Sequence, residues 1–276
     1  MEAFCKACNK SYICGVFRFF TFISIFMSRY VLEVMYDGTR FHGSQIQGNT
    51  PTVQLSINNA LSTILRAPIQ TFGASRTDEG VHALCNYYHF DVEGELNMDL
   101  RYKCNALLPD SLAVKTLYIA NDPEFNSRFD AIRRQYRYRI YARKNPFLHN
   151  KALFFPFSLD RGILDKAAAI IKEYTQFESF SKRNAQSKTF DCTIYQSYWE
   201  QVGEEMHYVV EGNRFLRGMV RGLVATQIHA ARGKSSLEDF RKTIEVRDCT
   251  KALFDVAGHG LYLERIVYKE GALMEI

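Results

Sequence analysis

Tyr30, Leu32, Val34 and Tyr36 recur at every second position, the period of a half-buried β-strand, and Asp37-Gly38-Thr39 breaks the run. Thr50-Pro51-Thr52 then opens a helix, with Val53, Ile57, Ala60, Leu61, Ile64 and Leu65 on one face. The pattern predicts strands at 69–72 and 85–92, a short helix at 99–107 that ends before Pro109, and a strand at 112–120. Over 135–142 the alternation is clean: Tyr136, Tyr138 and Ile140 face one way, Arg137, Arg139 and Tyr141 the other. Lys144-Asn145-Pro146 has turn chemistry and predicts a boundary between two halves, 29–145 and 146–276. The second half restarts with a helix at 160–174, striped by Ile163, Ala167, Ile170, Ile171 and Tyr174, and continues with strands at 190–199 and 206–211. A long helix is expected over 213–232, stopped by Gly233, then a helix at 236–246 and a last strand at 261–268. Helices interleave with hairpin-like strand pairs in both halves. This predicts an α+β fold whose mixed or antiparallel sheets are flanked by helices.

Composition narrows the class without fixing the chemistry. A chain of 276 residues, 47% hydrophobic, supplies a sizeable core and excludes a disordered tail, a collagen-like fibre and a disulfide-stapled miniprotein. Lys plus Arg total 35 against 30 acids; the excess of +5 permits a nucleic-acid partner without demanding one. Seven Cys form no paired framework, as expected of reduced thiols in a cytoplasmic protein. Residues 1–28 stand apart, with three of those Cys and seven aromatics. Arg18 interrupts their apolar run, and the apolar stretch beyond it is shorter than the roughly 20 residues a spanning helix needs, so no membrane segment is expected. Cys5-x-x-Cys8 with Cys14 lacks a local fourth ligand for zinc. The segment reads as an extension outside the folded unit, with Met27 as an alternative start, and function is expected to begin after it.

Three clusters carry candidate chemistry. Ala74-Ser75-Arg76-Thr77-Asp78-Glu79-Gly80-Val81-His82-Ala83 lies between two strands, where a loop is held well enough to position side chains. Arg76 and Asp78 sit two apart, so one can engage a substrate backbone while the other does chemistry; a surface ion pair in a turn is the alternative. On the expected long helix, Arg214, Arg217 and Arg221 share one face, either solvated or aimed into a cleft where an arginine would keep a carboxylate ionised. Arg133-Arg134-Gln135-Tyr136-Arg137-Tyr138-Arg139 mixes cations with stacking planes, as RNA binders do, or is an ordinary sheet with tyrosines inward. The histidines show no metal-ligand spacing, and no phosphate-binding glycine loop or nucleophilic triad is visible.

Together these segments resemble the TruA family of tRNA pseudouridine synthases. Tyr36-Asp37-Gly38-Thr39-Arg40-Phe41-His42-Gly43 is similar to that family's YDGT-x-F-x-G opening, and 75–83 to its GRTDxGVHA motif. Asn105 to Pro109 resembles NxxLP, Phe129 to Tyr138 resembles FxAxxRxYxY, Phe215 to Arg221 resembles FxxxMVR, and Gly260-Leu261-Tyr262-Leu263 resembles GLYL. The motifs run in family order from about Arg29 to Tyr268. The resemblance implies two similar α+β halves around a central basic cleft, and a homodimer gripping tRNA across both subunits. It implies isomerisation of uridine to pseudouridine at positions 38, 39 and 40 of the anticodon stem-loop, with no cofactor and no metal. By the same resemblance Asp78 is the nucleophile, Arg76 its motif neighbour, Tyr136 the residue stacking on the flipped base, and Arg221 the arginine pairing with Asp78.

Four departures accompany it. Ser75 replaces the usual Gly, Ser44 the usual Trp, Ala225 a helix-interior Gly, and no proline precedes Gly260 over 255–259. None touches the four site positions, but they leave target choice open. Rival readings are a paralogue acting on another RNA, a non-catalytic RNA-binding protein of the same fold, and a hydrolase using Asp78 with His82.

Overall fold

The computed structural model describes residues 27–96, 98–182 and 189–276; the N-terminal extension lies almost entirely outside them. Among the described residues ten strands form one mixed sheet, in keeping with the expected α+β class. β1 (Met27–Tyr36), β2 (Phe72–Gly73), β3 (His82–Glu93) and β4 (Leu112–Ala120) come first along the chain, with helices α1 (Val53–Leu65) and α2 (Leu100–Leu107). The remaining strands are β5 (Arg133–Tyr141), β6 (Leu153–Phe154), β7 (Ile194–Val202), β8 (Glu205–Gly212), β9 (Leu261–Val267) and β10 (Leu273–Glu275), with helices α3 (Arg161–Ile171), α4 (Met219–Ala231) and α5 (Leu237–Glu245). Along the sheet the order is β10-β4-β1-β3-β9-β5-β8-β7.

Two features of that order position the site. The expected boundary at 145/146 falls in a loop, whereas β5 pairs antiparallel with β8 and β9, and β10 returns to the far edge beside β4. The two groups of strands meet where β3 and β9 run parallel through only two pairs, His82 with Tyr262 and Ala83 with Leu263. The loop that carries Asp78 ends at this short seam.

Local sequence explains most elements. Thr52 and Asp99 cap α1 and α2 with side-chain oxygens that accept from Leu55 and Tyr102 N–H, and Ser236 with Asp239 forms a reciprocal capping box on α5. On α1, Val53, Ile57, Ala60 and Leu61 are buried, the face the periodicity marks. The strand expected at 69–72 shrinks to two residues. Its backbone is satisfied from α1 instead: Ile69 N–H donates to Ser62 Oγ and Thr71 N–H to Asn58 Oδ1.

The long helix expected over 213–232 starts only at Met219. Gly218 precedes it at φ 76°, a left-handed conformation that suits glycine and turns the chain, so Arg214 and Arg217 lie outside the helix. The third cluster resolves by face. Tyr136, Tyr138 and Ile140 join the core, while Arg133, Arg137 and Arg139 on the other side of β5 are matched by acids. Arg133 pairs with Glu211, Arg137 with Glu200 and Glu264, Arg139 with Glu205, and Arg265 with Glu211. These arginines are sheet glue and not a free RNA-binding stripe.

His89 is buried, and its Nδ1 accepts from Ser127 N–H at 3.2 Å, which requires the neutral ring. Burial, with the charge of Arg29 nearby, pulls its pKa down to about 4. An unfolded histidine titrates near 6.5, so between about pH 6.5 and 4 the unfolded chain binds the extra proton. Stability from this group is complete above about 6.5 and is lost as the pH falls towards 4, at up to about 1.4 kcal/mol per pH unit. Urea midpoints should fall across that window, and His89→Gln should make the fall shallower by about one proton; an unchanged slope would remove His89 from the acid response.

Candidate active site

The segment from 36 to 44 builds a floor for the Asp78 loop. Tyr36 Oη lies 2.9 Å from Thr77 Oγ1, and Asn86 Nδ2 donates to Tyr36 Oη at 3.2 Å. Asn86 also holds Ser75 from both sides, accepting from its N–H at 3.2 Å and donating to its carbonyl at 3.0 Å. Ser44 brackets Thr77: Ser44 N–H donates to Thr77 O at 3.0 Å, and Thr77 N–H donates to Ser44 Oγ at 2.8 Å. Gly38 approaches so closely that a Cβ there would stand 2.0 Å from Val81 O. The first motif therefore acts as a backbone-to-backbone support for the second.

Asp78 projects from this support towards the second half. Its carboxylate lies 3.4 Å from Lys182 Nζ, 3.6 Å from an Arg221 terminal nitrogen and 3.8 Å from Arg217 Nε. Three cations from one half thus surround one anion from the other. Arg221 does not form a two-pronged pair with Asp78. Its Nε and other terminal nitrogen both donate to Val256 O, at 2.9 and 2.7 Å, so a backbone carbonyl fixes the guanidinium and leaves one nitrogen for Asp78. Lys182 follows a 3-10 turn at Glu178–Phe180, and no periodic pattern links it to a residue 104 positions earlier.

Tyr136 is buried on the core face of β5, edge-on to Phe215 at 5.2 Å between ring centres. Burial is the main cause raising its phenol pKa, and a hydrogen bond with Ser75 works against that rise. Arg76 is exposed beside the loop. His82, the partner a hydrolase would need, faces elsewhere. It is buried, accepts from Gly38 N–H at 3.2 Å through Nδ1, and has Nε2 3.1 Å from the carbonyls of Asn150 and His259. It ties the seam together. Among the described residues no group of three or more His, Cys, Asp and Glu is placed to hold a metal ion, and no helix is long and apolar enough to cross a membrane.

Arg134 is the residue whose role the periodicity hides among its neighbours. It lies on the core face with Tyr136, 8% exposed, and donates only to neutral acceptors. These are Ser75 Oγ at 3.1 Å and the carbonyls of Ala74, Arg128, Ala131 and Asn213, at 3.3, 2.6, 3.3 and 3.0 Å. Its guanidinium joins the Asp78 loop, the 126–131 turn and the start of the segment leading to α4. Burial pulls its pKa below the ordinary arginine value. Arg76, Arg128 and Arg214 are close enough to feel one another or Arg134. Among the described residues none of the four is ion-paired with a carboxylate. The arginines on the far face of β5 are neutralised; those beside the Asp78 loop are not.

A family model described as tRNA pseudouridine synthase matches residues 174–269. The chain is 40% identical to tRNA pseudouridine synthase A of Parabacteroides distasonis over 88% of its own length and 97% of that protein's. It is 37% identical to the protein of the same name from Porphyromonas gingivalis over 88% and 98%, and 33% identical to that of Staphylococcus aureus strain Newman over 90% and 93%. The chain belongs to the tRNA pseudouridine synthase family. Its mixed sheet with five flanking helices is consistent with the fold of that family.

Proposed function

We propose that this enzyme isomerises uridine to pseudouridine in the anticodon stem-loop of tRNA, at positions 38, 39 and 40, with Asp78 as nucleophile. The observation that carries the reading is the carboxylate of Asp78, held on a rigid loop and matched by Lys182, Arg217 and Arg221. A carboxylate attacks as the anion, and these three cations place positive charge within 4 Å of it. In the reaction the C1′–N1 bond breaks, uracil turns, and C1′–C5 forms; the C5 proton leaves and N1 acquires one. No atom is gained or lost, so no co-reactant is required. The base must leave its stack first, and an aromatic such as Tyr136 offers a plane to receive it, with Arg76 at the loop's outer side to engage the backbone. The test is tritium release from tRNA labelled at uracil C5, with unmodified transcripts lacking uridine at 38–40 as the control. Release from the control at the same rate would overturn the choice of positions.

The protein works in the cytoplasm, where tRNA is processed, and as a homodimer in which one tRNA spans both subunits. Sedimentation with and without tRNA tests this: a single copy bound per tRNA at saturation would refute it.

RNA affinity rests on the unpaired cations. Each phosphate contact contributes about 0.7–0.9 to the slope of log affinity against log salt. Arg128→Gln and Arg214→Gln are each expected to lower that slope by about one, and Arg137→Gln, whose guanidinium is held by Glu264 and Glu200, to leave it unchanged. Equal slopes for all three variants would count against the assignment of faces.

A further inference from the structure

We propose that the cavity beside Arg76 is a second nucleobase site, which takes an unstacked base of the RNA adjacent to the target uridine. The proposal rests on the reading of Asp78 as the centre of an RNA-modifying site and names what that site holds besides its target. The cavity, about 170 Å³, is bordered by Ser44, Phe72, Ser75, Arg76, Arg128 and Phe129, and by neither Asp78 nor Tyr136. Its size is that of a space for one six-membered ring: a dry cavity of about 150 Å³ admits benzene.

Three observations fix the chemistry of the occupant. Phe72 and Phe129 are 50% and 75% exposed and border the same cavity, so two aromatic rings are presented to one occupant. Each has one charged or polar neighbour holding it: Phe72 stacks on His89 at 5.2 Å, and Phe129 lies under the Arg128 guanidinium at 5.5 Å. Second, Arg76 and Arg128 stand at the rim without a carboxylate partner among the described residues, so the rim attracts an anion. A flat ring joined to an anion is a nucleobase with its phosphate; base stacking on phenylalanine supplies affinity with little sequence preference. Third, Ser44 and Ser75 both border the cavity. These are two of the positions at which the chain departs from the motifs it resembles, one of them a small residue in place of tryptophan. Two of the four departures therefore lie in the wall of this cavity.

Arg134 holds the cavity's two walls in register, through Ala74 and Ser75 on one side and Arg128 on the other. The site is consequently preformed and does not await a loop closure.

The experiment pairs the full-length protein with anticodon stem-loop RNAs made abasic at each nucleotide flanking the target in turn. For the native protein one abasic position should weaken binding about fivefold to a hundredfold, the worth of one stacked base. Phe129→Ala should bind the intact RNA more weakly and lose its sensitivity to that same position. Phe129 is largely exposed, so its replacement leaves the fold intact, and thermal melting checks this. Phe72→Ala, which removes the other exposed ring at the cavity, should show the same loss of sensitivity. If no abasic position matters to the native protein, or if the position matters equally in Phe129→Ala, the cavity is not a base site. Tritium release by the native protein is measured on the same preparation. Release without coupling to Phe129 overturns only the second site; absence of release overturns the catalytic reading, whatever the coupling.

Discussion

Asp78→Asn is expected to abolish tritium release while tRNA affinity stays within about tenfold, or about 1.4 kcal/mol. The change is nearly isosteric and removes the charge on which the proposed nucleophilic role depends. Lys182, Arg217 and Arg221 then face no anion, so the local potential becomes more positive and phosphate binding does not suffer. The fold should barely respond. Arg217 is 61% exposed and Lys182 36%, and ion pairs of that exposure are worth at most about 1 kcal/mol. A dead, stable, RNA-binding variant is thus the signature of a chemical role. Substantial residual isomerisation would sink the assignment of Asp78 and with it the mechanism. An Asp78→Asn protein that fails to fold would instead make the carboxylate a structural strut.

How much of the structure is legible in the sequence depends on the range of the interaction responsible. Helix faces and caps depend on neighbours within four residues, and α1, α2 and α5 match their expected positions closely. The alternation along β5 matches as well, and it carries a further implication. If Tyr136 and Tyr138 face the core, Arg134 must face it too, because strand side chains alternate strictly. The acids that neutralise Arg133, Arg137 and Arg139 arrive from β7, β8 and β9, between 63 and 127 residues away, and no local pattern announces them. Lys182 reaches Asp78 by the same kind of long-range meeting. The early start expected for α4 has a different origin: the apolar spacing continues back through Leu216, but one glycine at φ 76° ends the helix there. Periodicity reports which side chains want burial; it does not report where the backbone turns.

Arg134 ties the start of the Asp78 loop to the rest of the fold through Ala74 and Ser75. A buried guanidinium normally meets a carboxylate; this one meets a hydroxyl and four carbonyls, spread over the planar fork that only arginine presents. Arg134→Met would remove one donor from each of these acceptors, and the loss costs about 1–3 kcal/mol for each that is left buried and unpaired. The carbonyls of Ala74 and Ala131 are the most enclosed. Because part of that cost is relieved by relaxation, we expect a total near 3–5 kcal/mol, a large share of the stability of an ordinary domain. Arg134→Lys keeps the charge and loses the fork. It should fold, with a urea midpoint lowered by the equivalent of about 2 kcal/mol, because an ammonium group reaches at most three of the five acceptors. Its single-turnover rate should fall about tenfold to a hundredfold, since a loop displaced by an ångström misaligns the attacking oxygen. Binding through phosphates should persist, with an unchanged salt slope, as the buried guanidinium contacts no phosphate itself. The split between rate and affinity separates positioning from RNA binding. A Lys variant with native single-turnover rate and reduced stability would show that Arg134 serves the fold alone, and one with weakened affinity and native rate would move it into the RNA-binding surface.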